Sequence, residues 1–384
     1  MWRKIGKIVV ICLSILTIVI VWSMESWSRT VHGKLPSKTA VILHAVNNNL
    51  VPLNSDIQPP RFLLSNEHAP KRALQEKDII IEMKDGAGIP ARIYRYEDAT
   101  DVPVILYYHG GAFLEGYGNI DTHRNITRAL AKRTGAVVIS PGYRLAPKHV
   151  FPTAVEDSYR ALEWAYENAK KYGGDPNQIA VMGDSAGGNL ATVMALKARD
   201  QNGPPLFAQV LFYPLTTFQD IKLESRETYD SGYYFLSRDV MLKAREAYAP
   251  EEEMWSSPYA SPLHVDDLSG LPPTLIITAQ FDPLRDEGEL YGERLHEAGV
   301  PVETVRYNGV MHGFVSLFEM MESGEMALAQ ATQFLMNENK KQVPDDYQWK
   351  VQHAPQGIVR LKEEAESFFI AAFLLYQSLR ISSS

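Results

Sequence analysis

The sequence predicts an α/β fold, a mixed and mostly parallel sheet of eight strands flanked by helices, with one long insertion. Three observations carry that reading. Apolar runs of strand length alternate with segments of helical period from Asp78 to Asn337. The runs are continuous rather than alternating, as strands buried on both faces require. One long segment without a strand, 215–270, interrupts the rhythm and has the length of a functional insertion.

Taken in order, Asp78–Met83 and Ile89–Tyr96 flank the turn residues DGAG and predict an antiparallel hairpin. PVILYY (Pro103–Tyr108), GAVVIS (Gly135–Ser140), IAVM (Ile179–Met182), AQVLFY (Ala208–Tyr213), TLIITA (Thr274–Ala279) and VETVRY (Val302–Tyr307) supply the other six strands. Helical periodicity fills Thr122–Arg133, Ala154–Lys171, Ala186–Arg199, Glu287–Ala298 and Glu325–Asn337. The insertion is rich in aromatics, Tyr229, Tyr234, Tyr248 and Trp255 among them. A lid or pocket wall is its functional reading, and extra core packing its plain one.

Composition narrows the function. The 384 residues are 45% hydrophobic and 22% charged, as in ordinary globular chains. Net charge is −8, and setting aside Arg3, Lys4 and Lys7 leaves −11 on the rest. An acidic body speaks against nucleic-acid partners. Cys12 is the only cysteine, which excludes an intrachain disulfide and a cysteine metal site. No metal or cofactor is expected.

The three N-terminal cations precede an uncharged apolar run from Ile8 that extends to Met24. A basic flank before such a run reads as a signal anchor or a signal peptide, with the anchor preferred. The basic flank stays inside, so the body of the chain is expected to be exported, membrane-anchored or else secreted. The expected organisation is therefore 1–27 signal anchor or peptide, 28–75 linker and N-terminal segment, 76–338 the α/β domain with its insertion, and 339–384 C-terminal extension. Within that extension the apolar stretch Phe368–Tyr376 is too short to span a bilayer. A helix docked on the body is the favoured reading, a membrane-surface helix the alternative.

Chemistry enters at Gly183-Asp184-Ser185-Ala186-Gly187, a G-x-S-x-G between the strand IAVM and a helix. That context makes Ser185 a nucleophile set on a strained turn, with glycines where Cβ atoms would collide. The phosphate-loop patterns, G-x-G-x-x-G and Gly-Lys-Ser/Thr, are missing here. A serine nucleophile needs a base, and His312 follows the last predicted strand, at the edge where α/β sites gather. His296 falls inside a helix and His353 beyond the core. Asp282 comes first after TLIITA and is the candidate acid, with Asp286 in reserve. The loop His109-Gly110-Gly111-Ala112-Phe113 offers backbone donors, so the oxyanion hole is expected from the N–H groups of Gly110, Gly111 and Ala186.

HGGAF, YRLAPKHVFPTAVED, GDSAGGNLA, DPLRDEG and MHGF, in this order, make the chain resemble the hormone-sensitive-lipase family of α/β hydrolases. The resemblance covers roughly Asp101–Asn337. It implies an α/β-hydrolase fold with a cap, and hydrolysis of small-molecule carboxylic esters with short or medium acyl chains. The same triad suits an amidase or peptidase, and a non-catalytic binding protein on a hydrolase fold is the third reading. One departure stands out: the cap segment MLKAREAYAP (Met241–Pro250) is unusually charged.

Overall fold

The structure is a computed structural model that describes residues 2–50, 73–337, 347 and 349–381. The stretch 51–72, expected to belong to the N-terminal cap segment, lies outside the described residues. The described strands of the main sheet are β1 (Leu74–Glu82), β2 (Gly88–Tyr96), β3 (Val102–Tyr108), β4 (Val137–Pro141), β5 (Gly174–Asp184), β6 (Leu206–Phe212), β7 (Thr274–Phe281), β8 (Val302–Met311) and β9 (Lys350–Gln352). They lie in the order β9-β8-β7-β6-β5-β3-β4-β2-β1. Only β2 runs against its neighbours; every other pair is parallel.

The sheet therefore has nine strands, not the eight expected. The extra one, β9, pairs with β8 from Val305↔Lys350 to Tyr307↔Gln352. It comes from the C-terminal extension and is three residues long with two of them exposed, too short to give an alternation signal.

Strand periodicity divides the core. Val104, Leu106, Ile179 and Val181 face one layer, with α4 (Thr153–Asn168), α5 (Ala186–Asp200) and α9 (Arg285–Glu297). Ile105, Tyr107, Ala180 and Met182 face the other, with α2 (Ser37–Asn47), α3 (Arg124–Thr134) and α10 (Glu322–Met336). Adjacent residues point to opposite faces, so continuous apolar strands are what two covered faces demand.

The insertion holds three short helices, α6 (Glu224–Thr228), α7 (Arg238–Tyr248) and α8 (Glu252–Trp255). Its aromatics are largely packing. Tyr248 stacks on Phe113 with centroids 4.0 Å apart, and Tyr234 stacks on Phe281 at 5.1 Å.

Helix α1 (Trp2–Ser28) is the N-terminal apolar segment, and its stretch from Lys4 to Ser28 is long and apolar enough to cross a membrane. Its far end does not stand free. Ile20 is buried with Val41 and Ala45 of α2, and with Ala371 and Leu374 of α11 (Gly357–Ile381). A part-buried ion pair, Lys38 Nζ to Glu366 Oε2 at 2.6 Å, joins α2 to α11. The C-terminal helix is thus docked, on the N-terminal helices.

Candidate active site

Strands β3, β5, β7 and β8 are parallel and deliver their C-terminal ends to one edge. Ser185 follows β5 directly, Asp282 follows β7, His312 follows β8, and the His109–Phe113 loop follows β3. Four segments distant in sequence meet there because each strand ends at the same level.

Ser185 has φ 55° and ψ −118°, a backbone conformation that costs an L-residue of order 1–3 kcal/mol. The surroundings enforce it: the Ser185 N–H donates to Phe212 O at 2.9 Å, and the Asn189 N–H to Ser185 O at 3.1 Å. A Cβ on Gly187 would lie 1.9 Å from Tyr108 O, and one on Gly183 would lie 2.2 Å from Gly187 O. Only glycine fits at either position.

His312 Nδ1 lies 2.8 Å from Asp282 Oδ2, and His312 Nε2 lies 3.0 Å from Ser185 Oγ. The Asp282 side chain is fully buried, and its Oδ1 accepts the Leu284 N–H at 2.8 Å. A carboxylate only accepts, so the imidazole proton sits on Nδ1 and Nε2 is left to accept from the serine hydroxyl. Asp286, the reserve acid, faces elsewhere: it accepts the Ser225 N–H at 2.8 Å and pairs with Arg285. His296 stacks on Tyr347, away from this group.

The expected oxyanion donors are not all available. The Gly110 N–H donates to Asp184 Oδ1 at 2.9 Å, so it cannot serve an oxyanion. Asp184 needs that donor because it is buried; it also accepts from Tyr107 Oη at 2.8 Å and His123 Nε2 at 3.1 Å. The chain then turns sharply, with φ 126° at Gly111 and 55° at Ala112. Gly111 and Ala112 amides donate no hydrogen bond among the described residues, and Ala112 lines the same cavity as Ser185 and Ala186. Ala112 is not legible as a donor in the sequence, because no local pattern shows that the Asp184 carboxylate takes up the Gly110 amide. His109 is structural: it stacks on Tyr143 at 4.3 Å, its Nδ1–H donates to Gly110 O at 2.8 Å, and burial pushes its pKa down to about 4.

A family described as the α/β hydrolase fold matches residues 105–316, over half of the chain. The chain is an α/β hydrolase of the hormone-sensitive-lipase family. This hydrolase is 45% identical over 232 residues to the carboxylesterase NlhH of Mycobacterium tuberculosis, covering 59% of this chain and 72% of the relative. It is 40% identical over 244 residues to an arylesterase of Saccharolobus solfataricus, covering 63% and 77%. Among solved structures, the hyperthermophilic esterase of Pyrobaculum calidifontis superposes with a TM-score of 0.66 at 46% identity, over 68% of this chain and 85% of that one.

In this hydrolase the insertion walls a cavity over Ser185. Leu215, Phe218, Leu236, Met241 and Leu242 supply apolar lining. The wall is pinned from below by Glu287, which is fully buried in α9. It accepts from Arg226 Nε at 2.9 Å and from the Thr216 N–H at 2.6 Å. Burial raises the Glu287 pKa even with Arg226 beside it. Glu287 looked like a first-turn helix residue in the sequence; its burial under the insertion was not readable there.

Proposed function

We propose that this α/β hydrolase is a serine carboxylic ester hydrolase that acts on short- to medium-chain acyl esters through an acyl-enzyme. The observation that carries the reading is the unbroken hydrogen-bonded line Asp282–His312–Ser185, at 2.8 and 3.0 Å, opening into the apolar cavity. The names of the relatives, carboxylesterase and arylesterase, support the substrate class.

In the proposed mechanism Ser185 Oγ attacks the ester carbonyl carbon while His312 Nε2 takes the hydroxyl proton. Asp282 holds the Nδ1–H and stabilises the imidazolium without taking its proton. The carbonyl oxygen, now anionic, accepts from the amides of Gly111, Ala112 and Ala186, which are fixed before the substrate arrives. His312 passes its proton to the departing alkoxide, and the alcohol leaves. Water then attacks the acyl-enzyme with His312 again as base, releasing the acid and restoring Ser185.

We further propose that α1 is retained as a membrane anchor and that the catalytic domain lies on the exported side. Retention is supported by Ile20, whose side chain is packed among α2 and α11. Labelling with a fluorophosphonate probe tests the chemistry: the wild-type chain should label and Ser185→Ala should not. A folded wild-type chain that neither labels nor cleaves p-nitrophenyl butyrate would sink the proposal.

A further inference from the structure

We propose that the cavity over Ser185 takes an ester whose chain ends in a carboxylate, and that Arg245 is the residue that pairs with it. The inference rests on the ester-hydrolase reading above and adds the chemical class of the substrate.

Helix α7 presents Arg238, Met241, Leu242 and Arg245 to the cavity. Their spacing of i, i+3, i+4 and i+7 makes one helix face. Three arginines line the cavity altogether, and two of them are neutralised. Arg226 is paired with buried Glu287 and donates to the carbonyls of Gln219 and Thr217, both at 2.9 Å. Arg238 is paired with Asp220 at 2.6 Å.

Arg245 is different. It makes no ion pair among the described residues, and its one hydrogen bond is a long one, 3.4 Å to Phe218 O. Its Nε is shielded from solvent and has no acceptor among the described residues. The guanidinium lies over the Trp255 ring at 4.1 Å, which fixes its plane without cancelling its charge. Asp220, the carboxylate in the cavity lining, is hydrogen-bonded to Arg238 and feels the charge of Arg245 without pairing with it.

Arg245 is a half-buried guanidinium with donors to spare, beside the leucine, methionine and phenylalanine side chains of the cavity lining, and an anion in the cavity would meet those donors. A planar carboxylate matches its paired N–H groups, and the apolar walls suit the carbon chain between that carboxylate and the ester. The combination describes a half-ester of a dicarboxylic acid better than a plain fatty-acid ester.

The test compares two p-nitrophenyl esters with five-carbon acyl chains, the glutarate half-ester and the neutral valerate, each corrected for spontaneous hydrolysis. The ratio of their kcat/KM values, charged over neutral, should fall about ten-fold or more in Arg245→Gln and recover in Arg245→Lys. The same ratio in wild type and Arg245→Gln would overturn the assignment. Should Arg245→Gln not fold, the wild-type ratio decides the point: it should drop as salt rises from about 0.05 to about 0.5 M, and a flat ratio overturns it. A wild-type chain that cleaves neither ester overturns the hydrolase reading itself. Cleavage of both at a ratio independent of Arg245 overturns only the carboxylate.

Discussion

Asp184 Oδ1 accepts the Gly110 N–H at 2.9 Å, so the residue just before the candidate nucleophile holds the loop that faces it. One buried carboxylate thereby sets the distance between Ser185 and the free amides of Gly111 and Ala112. Asp184→Ala should lower kcat for p-nitrophenyl butyrate by about 10²-fold, with a smaller change in KM, because misplaced donors act on the transition state. It should also destabilise the fold by about 3–5 kcal/mol, since His123 loses its buried partner. Unchanged kcat in a folded Asp184→Ala protein would separate Asp184 from the oxyanion loop.

The same cluster dictates how stability responds to pH. Burial raises the Asp184 pKa, but the charge and hydrogen bond of His123 outweigh it and hold it below the usual carboxyl range. Burial lowers the His123 pKa, and Asp184 more than reverses that, lifting it above 6.5. The Asp184 contribution is present above the ordinary carboxyl range and is lost as pH falls through its folded value. The His123 contribution is complete below 6.5 and is lost as pH rises through its raised value. His109, buried and neutral, has its contribution above 6.5 and loses it as pH falls toward about 4. Urea unfolding should show stability falling on both sides of a plateau near 6.5. Each slope should approach about 1.4 kcal/mol per pH unit where one group dominates. His123→Gln should flatten the alkaline limb and also reshape the acid limb, because Asp184 loses the partner that holds its pKa down; an alkaline limb identical to wild type would count against the assignment.

Two glycines offer a steric contrast. Gly187→Ala puts a Cβ 1.9 Å from Tyr108 O, against backbone that cannot yield. It should cost about 4 kcal/mol or more, or abolish folding. At Gly299, with φ 74° but nothing within 4 Å of a new Cβ, the same change meets only backbone strain. Gly299→Ala should cost about 1–2 kcal/mol. Equal losses in urea titrations of the two variants would contradict the crowding at the elbow.

The Glu287–Arg226 pair fastens the cavity wall to α9. Arg226→Met strands Glu287 in the interior and should destabilise by about 3–5 kcal/mol. Arg226→Met combined with Glu287→Leu should recover most of that loss, because no charge is left unpaired. Chemical denaturation of the single and double variants measures the coupling, and additive losses would show that the two side chains act independently.

The sequence made the frame legible wherever burial is two-sided. Strand runs such as PVILYY and TLIITA had to be apolar throughout, and the residues that end them had to be the ones at the edge. That is why order and position in the chain point to Asp282 and His312, which the structure brings beside Ser185. What escaped were features decided by three-dimensional competition. A glycine-rich loop suggests a free Gly110 amide, but no local pattern says that the Asp184 carboxylate reaches that amide first. Glu287 resembled any acidic residue in a helix's first turn until the insertion was folded over it. Strand β9 is too short for periodicity, and it exists only because the edge of β8 was open to it.

The C-terminal extension has a mechanical consequence. Strand β9 is stitched to the sheet edge and α11 is clasped to α1 and α2, so the far end of α1 leaves the body through a bracket rather than on a tether. A tethered domain would tumble independently of the helix that leads to it. Here the packing of α1 against α2 and α11 ties the helix to the body through more than one segment of chain.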